Sequence, residues 1–266
     1  KISCRDFSAK MQEINPDIEI IPAHIWTPYF GVFGSKGGFN TLQEAFQDQT
    51  KNIHAIETGI SSDPNMNLKI KELRENNISI VSFSALHSFW PWRLGREATI
   101  FHKPEENQPL TYKTIINQIR NNTFIGTIET DPAYGKYHFD GHEKCNFSSS
   151  SEQTKTLNNI CPKCNKPLII GVDSRVKELS QEDENFQDDK KFYTLLPLHE
   201  IISLAVGKGM NTKTCWTIYD KLIENFQTEF NILLKTPKEQ LLQTTNNQHL
   251  TDLIIKNRNG QIKVKP

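Results

Sequence analysis

Two short pairs of soft donors constrain this chain more than any other feature. His142-Glu-Lys-Cys145 is separated by fifteen residues from Cys161-Pro-Lys-Cys164. Zinc takes four nitrogen or sulfur ligands in a tetrahedron, and two tight turns that each deliver two donors build such a site. Cys161-Pro-Lys-Cys164, followed by Asn165-Lys-Pro167, reads as a zinc knuckle and carries most of the weight. A structural Zn2+ held by His142, Cys145, Cys161 and Cys164 is the expectation. The competing reading is a chance cluster of reduced cysteines beside a surface histidine, and His138 is an alternative fourth donor.

The 266 residues suffice for one large domain or two smaller ones. With 36% hydrophobic and 23% charged residues, the composition is that of an ordinary globular protein. No apolar run reaches the length of about eighteen residues that a membrane-spanning helix needs. No basic start leads into an apolar stretch, so no secretory leader is read. Five cysteines, three of them assigned to metal, argue for a reducing compartment, and a cytoplasmic location is expected. A formal net charge of zero gives no global attraction to nucleic acid, so binding of that kind must rest on local patches. The first residue is Lys rather than Met, which fits a piece or a processed form of a longer chain.

Along the chain, residues 1–20 read as a short amphipathic helix ending near Pro16, and residues 18–23 as a β-type run that delivers His24. A glycine-rich loop follows, and then Thr41 as N-cap of a helix with Glu44 as its capping-box partner. Strands are predicted at 53–57, 78–83 and 124–129, with helices at 68–76 and 112–121 between them. Strands alternating with helices suggest βα units around a parallel sheet or barrel. Functional groups in such folds sit at the carboxyl ends of strands, where His24, Glu57, His87 and Glu129 fall. Residues 180–192 have the polar, charged make-up of a linker, and the remainder is predicted helical. Gly207-Lys208-Gly209 forms a turn between two of those helices, and Lys256, Arg258, Lys263 and Lys265 make a basic tail.

Several of these stretches together resemble the endonuclease Q family of DNA-repair enzymes. They are Ile21-Pro-Ala-His24, Glu57-Thr-Gly-Ile-Ser-Ser-Asp63-Pro64 and His87-Ser-Phe-Trp-Pro-Trp-Arg93-Leu-Gly-Arg96-Glu97. Asp131-Pro-Ala-Tyr-Gly-Lys-Tyr-His138, the donor tetrad and Pro197-Leu-His-Glu-Ile-Ile followed by Gly207-Lys-Gly209 complete the set, in the family's order. The resemblance implies an α/β protein: the later part of a PHP-type (β/α) barrel over 1–130, a zinc ribbon over 131–180 and a helical C-terminal DNA-binding module over 181–266. It also implies nicking of DNA on the 5′ side of deaminated bases or abasic sites by metal-activated water. His24 and His87 match family metal-ligand positions, so His24, Glu57 and His87 are the implied catalytic residues, with divalent ions in the barrel. Two departures stand out: the family's His-x-His strand is absent, and Ala85 occupies the place of a metal-binding aspartate. The family's first barrel half therefore lies outside the match.

Each candidate residue also has a plainer reading. Glu57 is either an outer-shell carboxylate or a cap or salt-bridge partner. Arg93 and Arg96 are candidate phosphate clamps, because guanidinium forks match phosphate oxygens; an ion pair with Glu97 or another acid is the alternative. Trp90 and Trp92 suit stacking on an unstacked base or packing on the barrel. Lys136, Tyr137 and His138 are candidates for phosphate and everted-base contact, or simply a turn before the knuckle. Lys208 adds a weak candidate phosphate site. The expected partner is DNA carrying damaged bases. The other two readings are a catalytically silent zinc-containing DNA-binding remnant and a PHP-type phosphoesterase acting on small esters.

Overall fold

The computed structural model describes residues 1–106, 108–181, 186 and 190–264. Residues 182–185 and 187–189 of the predicted linker, and Lys265 of the basic tail, lie outside the described residues. The first helix, α1 (Cys4–Ile14), starts where the Ser3 side chain accepts from the Asp6 N–H. The Thr41 hydroxyl caps α2 (Leu42–Phe46), but Glu44 does not close the predicted box: its carboxylate accepts from Asn40 N–H instead. Strand β1 (Ala55–Glu57), helices α3 (Pro64–Asn67) and α4 (Lys71–Glu75), and strand β2 (Ser79–Val81) follow. Next come β3 (Ala98–Ile100), α5 (Tyr112–Arg120) and β4 (Gly126–Glu129).

The predicted strand at 18–23 does not form. Its backbone instead runs extended beside β1, with Pro22 C=O accepting from Glu57 N–H and Ile25 N–H donating to Glu57 C=O. The expected continuous parallel sheet is also broken. Strands β1 and β2 pair in parallel, whereas β3 is antiparallel to β4, and β4 pairs in parallel with β7 (Lys191–Thr194). Between β2 and β3 the Thr99 hydroxyl replaces a ladder, accepting from Ser82 N–H and donating to Ser82 C=O, both at 3.0 Å. Strand β7 corrects the expectation of an all-helical remainder. Gly126 permits the β4–β7 approach, because a Cβ there would collide with the Lys191 carbonyl oxygen. Gly126→Ala is expected to destabilise by about 1–3 kcal/mol through overpacking. A thermal melt checks this, and an unchanged midpoint would contradict the pairing.

The insert between β4 and β7 contains the hairpin β5 (Asp140–His142) and β6 (Phe147–Ser149), then α6 (Ser151–Thr156) and α7 (Val172–Leu179). After β7 come α8 (Leu198–Val206), α9 (Lys213–Phe226), α10 (Lys238–Thr245) and α11 (Gln248–Arg258). The apolar cores cut across the predicted domain limits. Val172 and Val176 of α7 pack with Trp26, Phe33 and Leu42, while Ile128 of β4 packs with Leu198, Leu222 and Ile254. Buried Arg175 reinforces the first link by donating to the Phe33 and Phe39 carbonyls across the glycine-rich loop. Among the described residues no helix is long and apolar enough to cross a membrane.

Candidate functional site

The two knuckles converge. One donor atom from each of His142, Cys145, Cys161 and Cys164 lies within 4.8 Å of all the others. His142 Nδ1 stands 3.0 Å from Cys145 Sγ and 3.3 Å from Cys164 Sγ. Both turns end alike, on Asn146 (φ 43°) and Asn165 (φ 56°), since asparagine tolerates the left-handed backbone a tight knuckle needs. The Lys163 ammonium ties the turns together by donating to the Cys145 and Asn146 carbonyls. Cys164 and burial push the Cys145 thiol up to about 11, and a bound cation, which takes the thiolate, would reverse that preference. Nitrogen and sulfur donors in this arrangement fit a metal ion. His142, not the alternative His138, completes the close group; His138 Nδ1 sits instead 3.0 Å from the Ser61 carbonyl oxygen.

A second constellation gathers at the carboxyl ends of β1, β2 and β4. Gly59 lets His24 approach, since a Cβ there would collide with the His24 Cα and Cβ. The His24 N–H donates to Glu57, and its Nδ1 is buried without a hydrogen-bond partner. Glu129 Oε2 accepts from the Thr58 hydroxyl (3.1 Å) and the Ser82 hydroxyl (3.0 Å), while Oε1 has no partner. Glu97 accepts from Ile60 N–H (3.1 Å), Thr130 N–H (3.2 Å) and the Ser82 hydroxyl (3.3 Å). Burial raises the Glu57 carboxyl and pushes Glu97 up to about 7. Burial, and next the neighbouring Glu97 charge, raise Glu129 well above the carboxylate range. Such acids are a recurrent mark of functional sites, although buried networks elsewhere share it. Sequence reasoning gave Glu97 no place here, because its three partners come from three separate stretches.

The predicted barrel ligands do not assemble with comparable tightness. Among the described residues, the knuckle tetrad is the one group of three or more His, Cys, Asp or Glu donors close enough to share an ion. His87 is exposed, with Nδ1 2.7 Å from the Ala85 carbonyl oxygen. Ala85 offers no donor side chain, and its backbone is left-handed (φ 44°). The residues present therefore do not fit a barrel metal by themselves.

The candidate DNA contacts divide. Arg96 is engaged on its own loop, Nε donating to Ser84 C=O (2.8 Å) and an Nη to Ala85 C=O (3.1 Å). It shapes the segment that carries His87, and neither arginine pairs with Glu97. Arg93 forms a loose ion pair with another acid, its Nε 3.8 Å from Glu200 Oε1, and that Nε has no hydrogen bond. A cleft of about 680 Å3 opens between Gly135-Lys136-Tyr137, Tyr29 and the β5–β6 hairpin. Lys136 reaches Glu143 at 2.9 Å on its rim. Lys208 is exposed in the α8–α9 turn, remote in sequence from both constellations.

Residues 197–261 match the family described as the MJ0043 C-terminal domain. An uncharacterized protein of Methanocaldococcus jannaschii, MJ0043, is 31% identical over 247 residues, which is 91% of this chain and 30% of the relative. The lesion-specific endonuclease PfuEndoQ of Pyrococcus furiosus superposes with a TM-score of 0.81 at 27% identity, over 98% of this chain and 62% of that one. Endonuclease Q in complex with a 27-mer duplex bearing an abasic lesion at the active site gives 0.85 at 26% identity, over 100% of this chain and 64% of that one. The chain thus spans less than two thirds of each of these relatives and is similar in structure to endonuclease Q.

Proposed function

We propose, from this structural kinship with endonuclease Q, that the chain serves DNA repair as the lesion-handling part of an endonuclease that nicks DNA 5′ of deaminated bases or abasic sites. The likeness along the whole chain to a protein held on a damaged duplex carries this reading. The segment around β1, β2 and β4 is the later part of a PHP-type barrel, the insert is a zinc ribbon, and the helices after β7 are the DNA-binding module. The ion of the tetrad is Zn2+, with a structural role, because four protein donors leave no position open for water. The cleft beside Lys136 and Tyr137 takes a base turned out of its stack; such extrusion lets an enzyme reach its target. Arg93 and Lys208 contact phosphates, whereas Arg96 acts through the loop it holds.

His24, Glu57 and His87 do not complete a hydrolytic metal shell by themselves, because Ala85 offers no ligand side chain. That observation favours a second reading: a silent binder of damaged DNA. Duplexes containing uracil, hypoxanthine or an abasic site, incubated with the wild type and with Ala85→Asp in the presence of divalent cations, separate the two. Nicking 5′ of the lesion by the wild type supports the enzyme. Lesion-selective binding with nicking only by the Asp variant supports the silent form. Absence of lesion-selective binding overturns both, and turnover of a phosphomonoester without DNA binding would point to a small-ester phosphoesterase.

A further inference from the structure

Phe89, Trp90 and Trp92 form a short ladder of rings. The Phe89 and Trp90 centroids lie 4.9 Å apart with planes at 30°, and Trp90 and Trp92 stack at 4.6 Å and 18°. The inner end is anchored in the helical module, where Trp92 meets His199 at 5.9 Å and Trp216 at 6.4 Å. His199 is 1% exposed, and neither ring nitrogen has a hydrogen-bond partner. Burial holds its imidazole down at about 4, so near neutral pH it is one more flat uncharged ring against Trp216 and Tyr219. Pro91 opens the 3-10 turn Pro91–Arg93 and stiffens the backbone between the two tryptophans. The outer end is open, with Phe89 85% exposed.

A rigid pile of rings ending in one bare ring presents a plane, and a planar partner completes it. Extruding a base leaves its neighbours without a stacking partner, and an apolar side chain can fill that gap. Arg93, at the end of the same turn, supplies a cation for the adjoining phosphate. We propose that Phe89, backed by Trp90 and Trp92, stacks on the base next to the lesion and takes the place of the extruded one. This rests on the DNA reading above.

The test uses the full chain and two duplexes, one with an abasic site flanked by 2-aminopurine and one intact. The variants are Phe89→Ala and Phe89→Tyr, at a side chain exposed enough to leave the fold intact. With the wild type, 2-aminopurine emission should fall on binding to the abasic duplex. Phe89→Ala should abolish that change and weaken lesion binding roughly five- to hundredfold, as expected for one base–aromatic stack. The salt dependence should stay the same, because a ring neutralises no phosphate. Phe89→Tyr should keep both signals. Affinity of Phe89→Ala within twofold of the wild type overturns the proposal while leaving the DNA reading intact, and so does an equal loss on intact and damaged duplexes. A wild type that binds neither duplex removes both.

Discussion

Replacing Cys164 with Ser is expected to abolish metal retention and unfold the hairpin β5–β6 with the second knuckle. The segment has little else to hold it. Its two strands have three residues each, and Cys161 and Leu168 are its buried apolar side chains between 141 and 170. Structural zinc contributes about 10–16 kcal/mol in comparable small modules, far more than so slight a core. Helix α7 should survive, since Val172, Val176 and Arg175 are fastened to the core around Trp26 and Phe33. Elemental analysis should give one ion per chain for the wild type and none for the variant. Limited proteolysis should cut the variant between 141 and 170 at least tenfold faster, and a chelator should reproduce this in the wild type. Retention should also fail as pH falls, because the three thiols must lose protons to bind. Equal metal content and equal cleavage in both proteins would show that the tetrad is a bystander.

The tetrad was legible in the sequence because its chemistry is local: each pair of donors spans four residues, and the type of donor is itself the signal. Strands β1, β2 and β4 were legible for a related reason: all are buried at every position, and each lies in a short run marked by isoleucines, residues 53–57, 78–83 and 124–129. Strand β3 is half-buried throughout, and β7, Lys-Phe-Tyr-Thr, emerges directly from a charged stretch, so neither announces itself. Arg96 shows a different limit. A guanidinium beside a glycine suits a phosphate equally well, and only the turn of Ser84 and Ala85 reveals that their carbonyls already occupy it. Glu97 and His199 were missed because their surroundings are assembled from distant stretches: backbone N–H groups of Ile60 and Thr130 for one, rings of Trp92, Trp216 and Tyr219 for the other.

Glu129→Gln should raise thermal stability, and the gain over the wild type should grow as pH rises from 5 to 8.5. In the folded chain burial holds Glu97 near 7, and burial with the neighbouring Glu97 charge raises Glu129 well above the ordinary glutamate value. Between that ordinary value and the raised one, the folded state binds more protons than the unfolded state. The stability linked to these groups is therefore complete below about pH 4.5 and is lost as pH rises through 7 and beyond. For Glu97 alone, a rise from 4.5 to about 7 corresponds to roughly 3 kcal/mol. His199, held down at about 4, has the opposite slope below its ordinary value, but it is common to both proteins and cancels in the difference. Glutamine at 129 keeps an oxygen for the Thr58 and Ser82 hydroxyls and removes the charge beside Glu97. An unsatisfied buried polar group costs about 1–3 kcal/mol and a charge more, so a gain of at least ~4 °C is expected at pH 8.5. Near pH 5 the two melting points should nearly coincide, because the wild-type acid is already neutral. A gain independent of pH would show that Glu129 does not carry the titration, and a loss at pH 8.5 would mean that the folded chain uses its charge. In that event a cation held between Glu129 and Glu97 becomes the explanation to examine, by repeating the melts with and without divalent ions.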